Sequence, residues 1–301
     1  MSENGPCTGY VIDFWGLGFE IAERMRLVPA LLERCYLKER LSMVDAGGHE
    51  VTGMDVTPMR KRLEGRFISL ARADLAAVLF GACQGIPVNF EVSVAGVEQD
   101  RQGVTATLSD GRQERFDLVV GADGLHSHVR DLVFGPEERF ETSLGCHVAA
   151  FRLRGYPRRD ELTYFSHTVP KRQVARVALR DDETLVLLIC RSELIDGDPP
   201  RDQQKPVLRR AFGDMKWEVP EMLDRMDRVN DVYFDRVSQI HLTRWSTGQV
   251  LRFRGFFAPR TALALGVRNV AVSALSIPFF ANRLIGGLLQ DELVLPDYLA
   301  T

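Results

Sequence analysis

The stretch Phe116 to Arg130, FDLVVGADGLHSHVR, constrains the fold of this chain more than any other. Phe116, Leu118, Val119 and Val120 form a short apolar run bounded by glycine, the pattern of a strand buried in a sheet covered on both faces. Gly121, Ala122 and Gly124 keep the following turn free of bulk. Asp123 is placed to cap a helix begun by Leu125, Val129, Leu132 and Val133. A strand that ends in a glycine-rich turn and feeds a helix points backbone N–H groups and the positive end of the helix dipole at one spot, which favours a phosphate. Taken alone, the turn also fits a plain strand-to-helix connection with no ligand.

A chain of 301 residues suits one large or two modest domains and supports a substantial core. Its 38 basic and 41 acidic side chains leave a net charge of −3, with no basic surplus to neutralise a nucleic-acid backbone. The five cysteines, Cys7, Cys35, Cys83, Cys146 and Cys190, are scattered without a C-x-x-C spacing. Neither a zinc site nor a disulfide framework is indicated, and reduced thiols in a cytoplasm are the expectation. The first ten residues, MSENGPCTGY, carry no basic and apolar segments of a signal peptide. The longest apolar stretch, Val270 to Ala281, is too short to span a bilayer.

From the amino end, Tyr10, Ile12 and Phe14 alternate as in a strand, and the spacing from Phe19 to Leu32 predicts two short helices. Gly16-x-Gly18 is not read as a nucleotide loop, because the third glycine and the acidic residue about twenty positions on are absent. A hairpin over Leu41 to Val56 turns at Gly47-Gly48. A strand over Phe67 to Leu70 precedes a helix over Ala71 to Cys83, with Leu75, Val78, Leu79 and Ala82 on one face. For Arg72 and Asp74, in its first turn, a solvated ion pair is the plain reading. Pro87–Phe90, Val92–Glu98, Gly103–Leu108 and Gln113–Val120 form a meander of short strands. Beyond Arg130 the texture becomes that of an antiparallel sheet: Cys146–Arg154, Glu161–His167, Arg172–Leu179, Thr184–Cys190 and Asp231–Leu242, with helices near 201–212 and 220–226.

Metal and hydrolase chemistry find no support. His126-x-His128 lies two residues apart at a helix start, where the side chains face different ways, and a solvated or locally bonded pair is the simplest reading. No H-E-x-x-H, G-x-S-x-G or Walker string occurs. Arg152, Arg154, Arg158 and Arg159 read as a solvated sheet edge. No acid, base or nucleophile stands out, so no catalytic residue is assigned.

The order strand, Gly121-Ala122-Asp123-Gly124, Ser127, Arg130 resembles the second signature of the class A FAD-dependent monooxygenases, the p-hydroxybenzoate hydroxylase-like family related to the tetracycline-inactivating flavin monooxygenases. The resemblance runs over roughly residues 9 to 250. It implies that Gly121, Asp123, Gly124, Ser127 and Arg130 stand at the pyrophosphate of FAD and the path of NAD(P)H. The ordering S-L-x-R-x-D-L is similar to a second family element, and implies that Arg72 reaches the flavin side of the cofactor, a task suited to a bidentate guanidinium. The family fold makes the chain α/β and α+β: a partial FAD/NAD(P)-binding domain of the glutathione reductase-like Rossmann type over 1–145, an antiparallel-sheet substrate domain over 146–245, and a divergent segment over 246–301.

Two family elements are missing from these 301 residues: the G-x-G-x-x-G unit expected at the start, and the Gly-Asp dipeptide expected after Val250. A reading-frame change near Val250 would account for the abrupt end of the resemblance. The implied activity is NAD(P)H- and O2-dependent hydroxylation of an aromatic or polyketide-like small molecule, with the hold on FAD weakened. The alternative is a truncated, non-catalytic flavoprotein relative that binds a small molecule or a partner protein. The strand that would have neighboured the missing one is expected to leave an uncovered edge open to self-association. Neither nucleic acid nor membrane is an expected partner.

Overall fold

The computed structural model describes residues 10–158 and 160–252. Cys7, Arg159, the apolar stretch 270–281, the expected helix over 282–289 and most of the divergent segment lie outside the described residues.

Chain order begins with β1 (Val11–Phe14), α1 (Gly16–Arg24), α2 (Val28–Leu32), the hairpin β2 (Arg40–Val44) and β3 (Glu50–Asp55), α3 (Thr57–Arg62), β4 (Ile68–Ala71) and α4 (Arg72–Gly81). A meander of β5 (Val94–Asp100), β6 (Gly103–Leu108) and β7 (Gln113–Phe116) leads to β8 (Val119–Gly121) and α5 (His128–Phe134). Then come β9 (Glu141–Arg154), β10 (Thr163–Val169), β11 (Arg172–Ala178), β12 (Glu183–Arg191), α6 (Arg201–Phe212), α7 (Val219–Met226), β13 (Tyr233–Ile240), β14 (Ser246–Thr247) and β15 (Val250–Arg252). The mixed α/β and α+β class expected from the sequence is the one observed.

Two compact units form, and they interleave along the sequence. Among the described residues, the smaller comprises Ile86–Cys146 and Arg236–Arg252; the larger holds the residues up to Gly85 and His147–Asp235.

The larger unit is organised on a seven-stranded sheet in the order β13-β9-β12-β11-β10-β2-β3. The expected antiparallel pairing holds through β10, β11 and β12, as in Tyr164 opposite Val177 and Val174 opposite Leu188. The hairpin of β2 and β3 joins it by a parallel pairing that sets Thr163 opposite Arg40 and His167 opposite Val44. Helical spacing explains the cover on one face. Val207, Leu208, Ala211 and Phe212 on α6, and Val219, Met222, Leu223 and Met226 on α7, form two apolar stripes packed on Ala149, Phe151, Val174, Val186 and Leu188. Each large side chain so buried contributes about 1.5–3 kcal/mol. A second cluster sets Tyr10, Tyr36, Tyr164 and Tyr233 against Ala150, Val177, Leu179 and Leu185. β1 pairs antiparallel with β4, and Ile12, Phe19, Leu31, Ile68, Leu70 and Val78 close a core around α1, α2 and α4.

The smaller unit holds the sheets β5-β6-β7 and β14-β15-β8. β8 runs parallel to β15, with Val119 opposite Val250 and Gly121 opposite Arg252. Its core is small: Val104, Val129 and Val250, with Val94, Val97, Val119 and Val133 packed against them.

Four sequence expectations are corrected. The Phe116–Val120 run is not doubly covered: Phe116, Leu118 and Val120 are 40%, 48% and 52% exposed, and β8 is three residues long with a neighbour strand on one side only among the described residues. The helix after the turn begins at His128, leaving Leu125 in the turn. Pro87–Phe90 is not a strand, and Ile86, Val88 and Phe90 stay exposed. On α4 Leu79 faces outward while Val78 is buried. The helix α3, with Pro58 in its first turn, has no counterpart in the sequence reading.

Candidate functional site

In the smaller unit the turn after β8 is built by mutual capping. Ser127, not Asp123, is the N-cap of α5: its hydroxyl accepts from the backbone N–H of Arg130 at 3.0 Å. Asp123 reaches the same helix end from four residues earlier. Its carboxylate accepts the Ser127 hydroxyl and, at 3.0 Å, the N–H of Val129. Burial alone would raise the Asp123 pKa, but the hydrogen bonds from Ser127, Val129 and His128 outweigh it and hold the carboxyl below its ordinary range. The first-turn amides of α5 are thus largely committed to the protein's own oxygens.

Arg130 is fully buried and points inward. Its Nη1 donates to the carbonyl of Leu125 at 2.6 Å, and its Nη2 to Asp131 at 3.2 Å and to Glu137. Glu137 also accepts from His126 Nδ1 at 2.8 Å, which makes His126 the locally bonded histidine expected from the sequence. Burial opposes ionisation of Glu137, yet His126 and Arg130 keep its pKa below the ordinary value. Arg130 therefore braces the turn. Glu137, seven residues on, is the partner that sequence reasoning missed, since no local spacing rule links the two.

The two glycines serve different ends. A Cβ at Gly121 would stand 2.9 Å from Val129 Cγ1, so Gly121 is there for close packing of strand on helix. Gly124 has φ +89° and nothing within 4 Å of an added Cβ: it supplies the backbone bend and leaves open space above the turn. Open space thus lies at Gly124 rather than at the capped helix end.

In the larger unit Arg72 is the first residue of α4, and its backbone N–H donates to the carbonyl of Tyr10 at 3.1 Å. The expected pairing with Asp74 does not form. Asp74 turns to Arg180 at 2.5 Å and to Arg34 at 3.8 Å. The Arg72 side chain is exposed, and no ion pair engages it among the described residues. An unengaged guanidinium is the chemistry a phosphate or other anion needs, so the donor set fits a phosphate-bearing cofactor.

A family profile described as FAD binding domain matches residues 66–251, taking in both Arg72 and the turn from Gly121 to Arg130. The chain belongs to this FAD-binding family. The match stops at the point where the sequence resemblance to class A flavin monooxygenases stops, and that resemblance is upheld. An uncharacterized protein of Mycobacterium tuberculosis is 34% identical over 248 residues, covering 80% of this chain and 66% of its own length. A flavin-dependent monooxygenase from an unknown prokaryotic organism is 30% identical over 249 residues, covering 80% and 62% respectively. Among solved structures, the tetracycline destructase Tet(51) superposes with a TM-score of 0.69 at 26% identity, over 83% of this chain and 64% of that one. The chain thus spans somewhat less than two thirds of the length of the relatives it matches. Among the described residues no helix is long and apolar enough to cross a membrane.

Proposed function

We propose that this chain is part of an FAD-dependent monooxygenase that uses NAD(P)H and O2 to hydroxylate an aromatic or polyketide-like small molecule. The observation that carries this reading is the single family match across residues 66–251, which brings the strand-turn-helix motif and Arg72 under one FAD-binding description. Bound FAD would supply hydride acceptance and oxygen activation. The chain's own groups supply placement. Gly121, Asp123, Gly124, Ser127 and Arg130 hold the bent backbone that meets the pyrophosphate: Gly124 by leaving room, Asp123 and Ser127 by fixing the helix end, Arg130 by bracing the loop from within. Arg72 offers its guanidinium to the flavin side. The seven-stranded sheet forms a wall for the substrate. Free cysteines at positions 35, 83, 146 and 190 accord with a cytoplasmic setting.

The test is direct. Purified protein should take up FAD and turn yellow, and should oxidise NAD(P)H faster when an aromatic substrate is added. Protein that stays colourless after incubation with FAD and gel filtration overturns the reading. The exposure of Phe116, Leu118 and Val120 favours a second reading, a non-catalytic relative that binds a partner or a second copy of itself along β8. Concentration-dependent sedimentation without FAD uptake is the outcome that selects it.

A further inference from the structure

We infer that Tyr233, paired with Tyr10 and anchored by Asp235, is the aromatic surface on which a planar ring held near Arg72 rests, and that Asp235 is its positioning residue. The inference rests on the FAD reading above and adds residues in the larger unit that the family motifs do not contain.

The geometry is local. The Tyr10 and Tyr233 ring centroids lie 6.0 Å apart at an interplanar angle of 56°, a tilted aromatic pair. The Tyr10 carbonyl accepts the Arg72 N–H at 3.1 Å, which ties this pair to the start of α4. Both residues are half-buried, backed by the cluster of Ala150, Val177, Leu179 and Leu185, so each is partly accessible on a fixed support. The Tyr233 hydroxyl donates to Asp235 Oδ2 at 3.0 Å. The two residues are two apart on β13, on one face of the strand. Burial first, and then the Asp235 carboxylate, push the phenol pKa up, while the charge of Arg72 opposes them. The hydroxyl is therefore committed as a donor to Asp235, and the ring is what Tyr233 has left to offer a ligand. A flat aromatic surface beside an unengaged guanidinium suits a planar ring that carries an anionic group.

A nearby tyrosine quenches flavin emission by lending an electron to the excited ring and taking it back, which phenylalanine does not do. FAD is to be titrated onto the full chain, with retention read by equilibrium dialysis and emission by fluorescence lifetime. The parent protein should retain FAD in a quenched state. Tyr233→Phe should retain FAD with a lengthened lifetime, Tyr233→Trp should restore the quenching, and Tyr233→Ala should weaken binding about tenfold through loss of a stacked ring. Asp235→Ala should lengthen the lifetime, while Asp235→Asn, which keeps an acceptor oxygen, should stay close to the parent. Retained FAD with the same lifetime in the parent, Tyr233→Phe and Tyr233→Ala overturns this inference alone. A parent protein that retains no FAD overturns the FAD reading and this inference together.

Discussion

In the larger unit Phe212 is fully buried between α6 and the seven-stranded sheet, whereas in the smaller unit Phe116, with the same side chain, stands exposed at the end of β7. Local sequence would suggest the reverse: Phe212 stands among charged residues in RRAFGDM, and Phe116 heads the apolar run FDLVV. The difference lies in what covers them. Two amphipathic helices lie over the sheet around Phe212. The strand that follows Phe116 pairs on one side only among the described residues, and Leu118 and Val120 beside it are exposed as well. The larger unit carries its own closed core, while the unit bearing the Asp123 turn relies on a few valines and on polar bracing around Arg130.

The widest separation between the two should come from the phenylalanines themselves. Phe212→Ala should cost about 3–5 kcal/mol in urea unfolding, the value of a large buried ring replaced by a cavity. Phe116→Ser should shift stability by about 0.5 kcal/mol or less and reduce self-association in sedimentation. Equal costs for the two would erase the contrast.

Next in size are the buried arginines. Arg176, in the larger unit, is gripped by Glu218 through Nε at 2.8 Å and Nη2 at 3.2 Å, and its guanidinium lies 4.5 Å from the Phe165 ring centroid. Glu218→Gln and Glu137→Gln each remove one carboxylate from a buried guanidinium and leave it a single more exposed partner, Asp160 for Arg176 and Asp131 for Arg130, at a cost of up to about 3 kcal/mol. The outcomes should differ in kind: a shifted global unfolding midpoint for Glu218→Gln, and lost amide protection confined to residues 127–134 for Glu137→Gln, read by hydrogen exchange.

Smaller again is Gly124→Ala. With φ +89° and open space around it, this change meets only the backbone penalty, about 1–2 kcal/mol. If the bend serves a phosphate, FAD uptake falls while the meander of β5 to β7 stays folded; unchanged uptake would make the bend purely structural.

The smallest effect is that of acid. Asp123 and Glu137 have folded-state pKa values below their ordinary 3.8 and 4.5. Groups depressed in this way contribute stability that is complete above the ordinary value and is lost as the pH falls through the folded one. Amide protection in α5 should therefore hold from neutrality to about pH 5 and decline below the ordinary carboxylate range. Protection in α5 that persists unchanged through that range would show that neither carboxylate supports the turn.

Much of the chain was legible before any coordinates. The five strands from β9 to β13 and the helices α6 and α7 fall close to where alternation and the i, i+3, i+4 spacing put them, because one buried face imposes its period on the sequence. The Gly121–Gly124 turn and a helix after it were legible from their residue types. The turn's wiring was not. That Ser127 caps the helix, that Arg130 turns inward to Glu137, and that Asp74 leaves Arg72 for Arg180 106 positions away all depend on contacts that spacing cannot reveal.

By itself, then, the sequence determined the period of each element, the bend at Gly124, and membership in a flavin-binding family through a string of residues that few other tasks would assemble. Tertiary structure alone decided which apolar runs are covered, that β2 and β3 join the sheet of the later strands, and which guanidinium is left without an ion pair among the described residues. The reason is physical: backbone preference and side-chain period act over a few residues, whereas burial and charge pairing are settled by whatever the fold carries in from far along the chain.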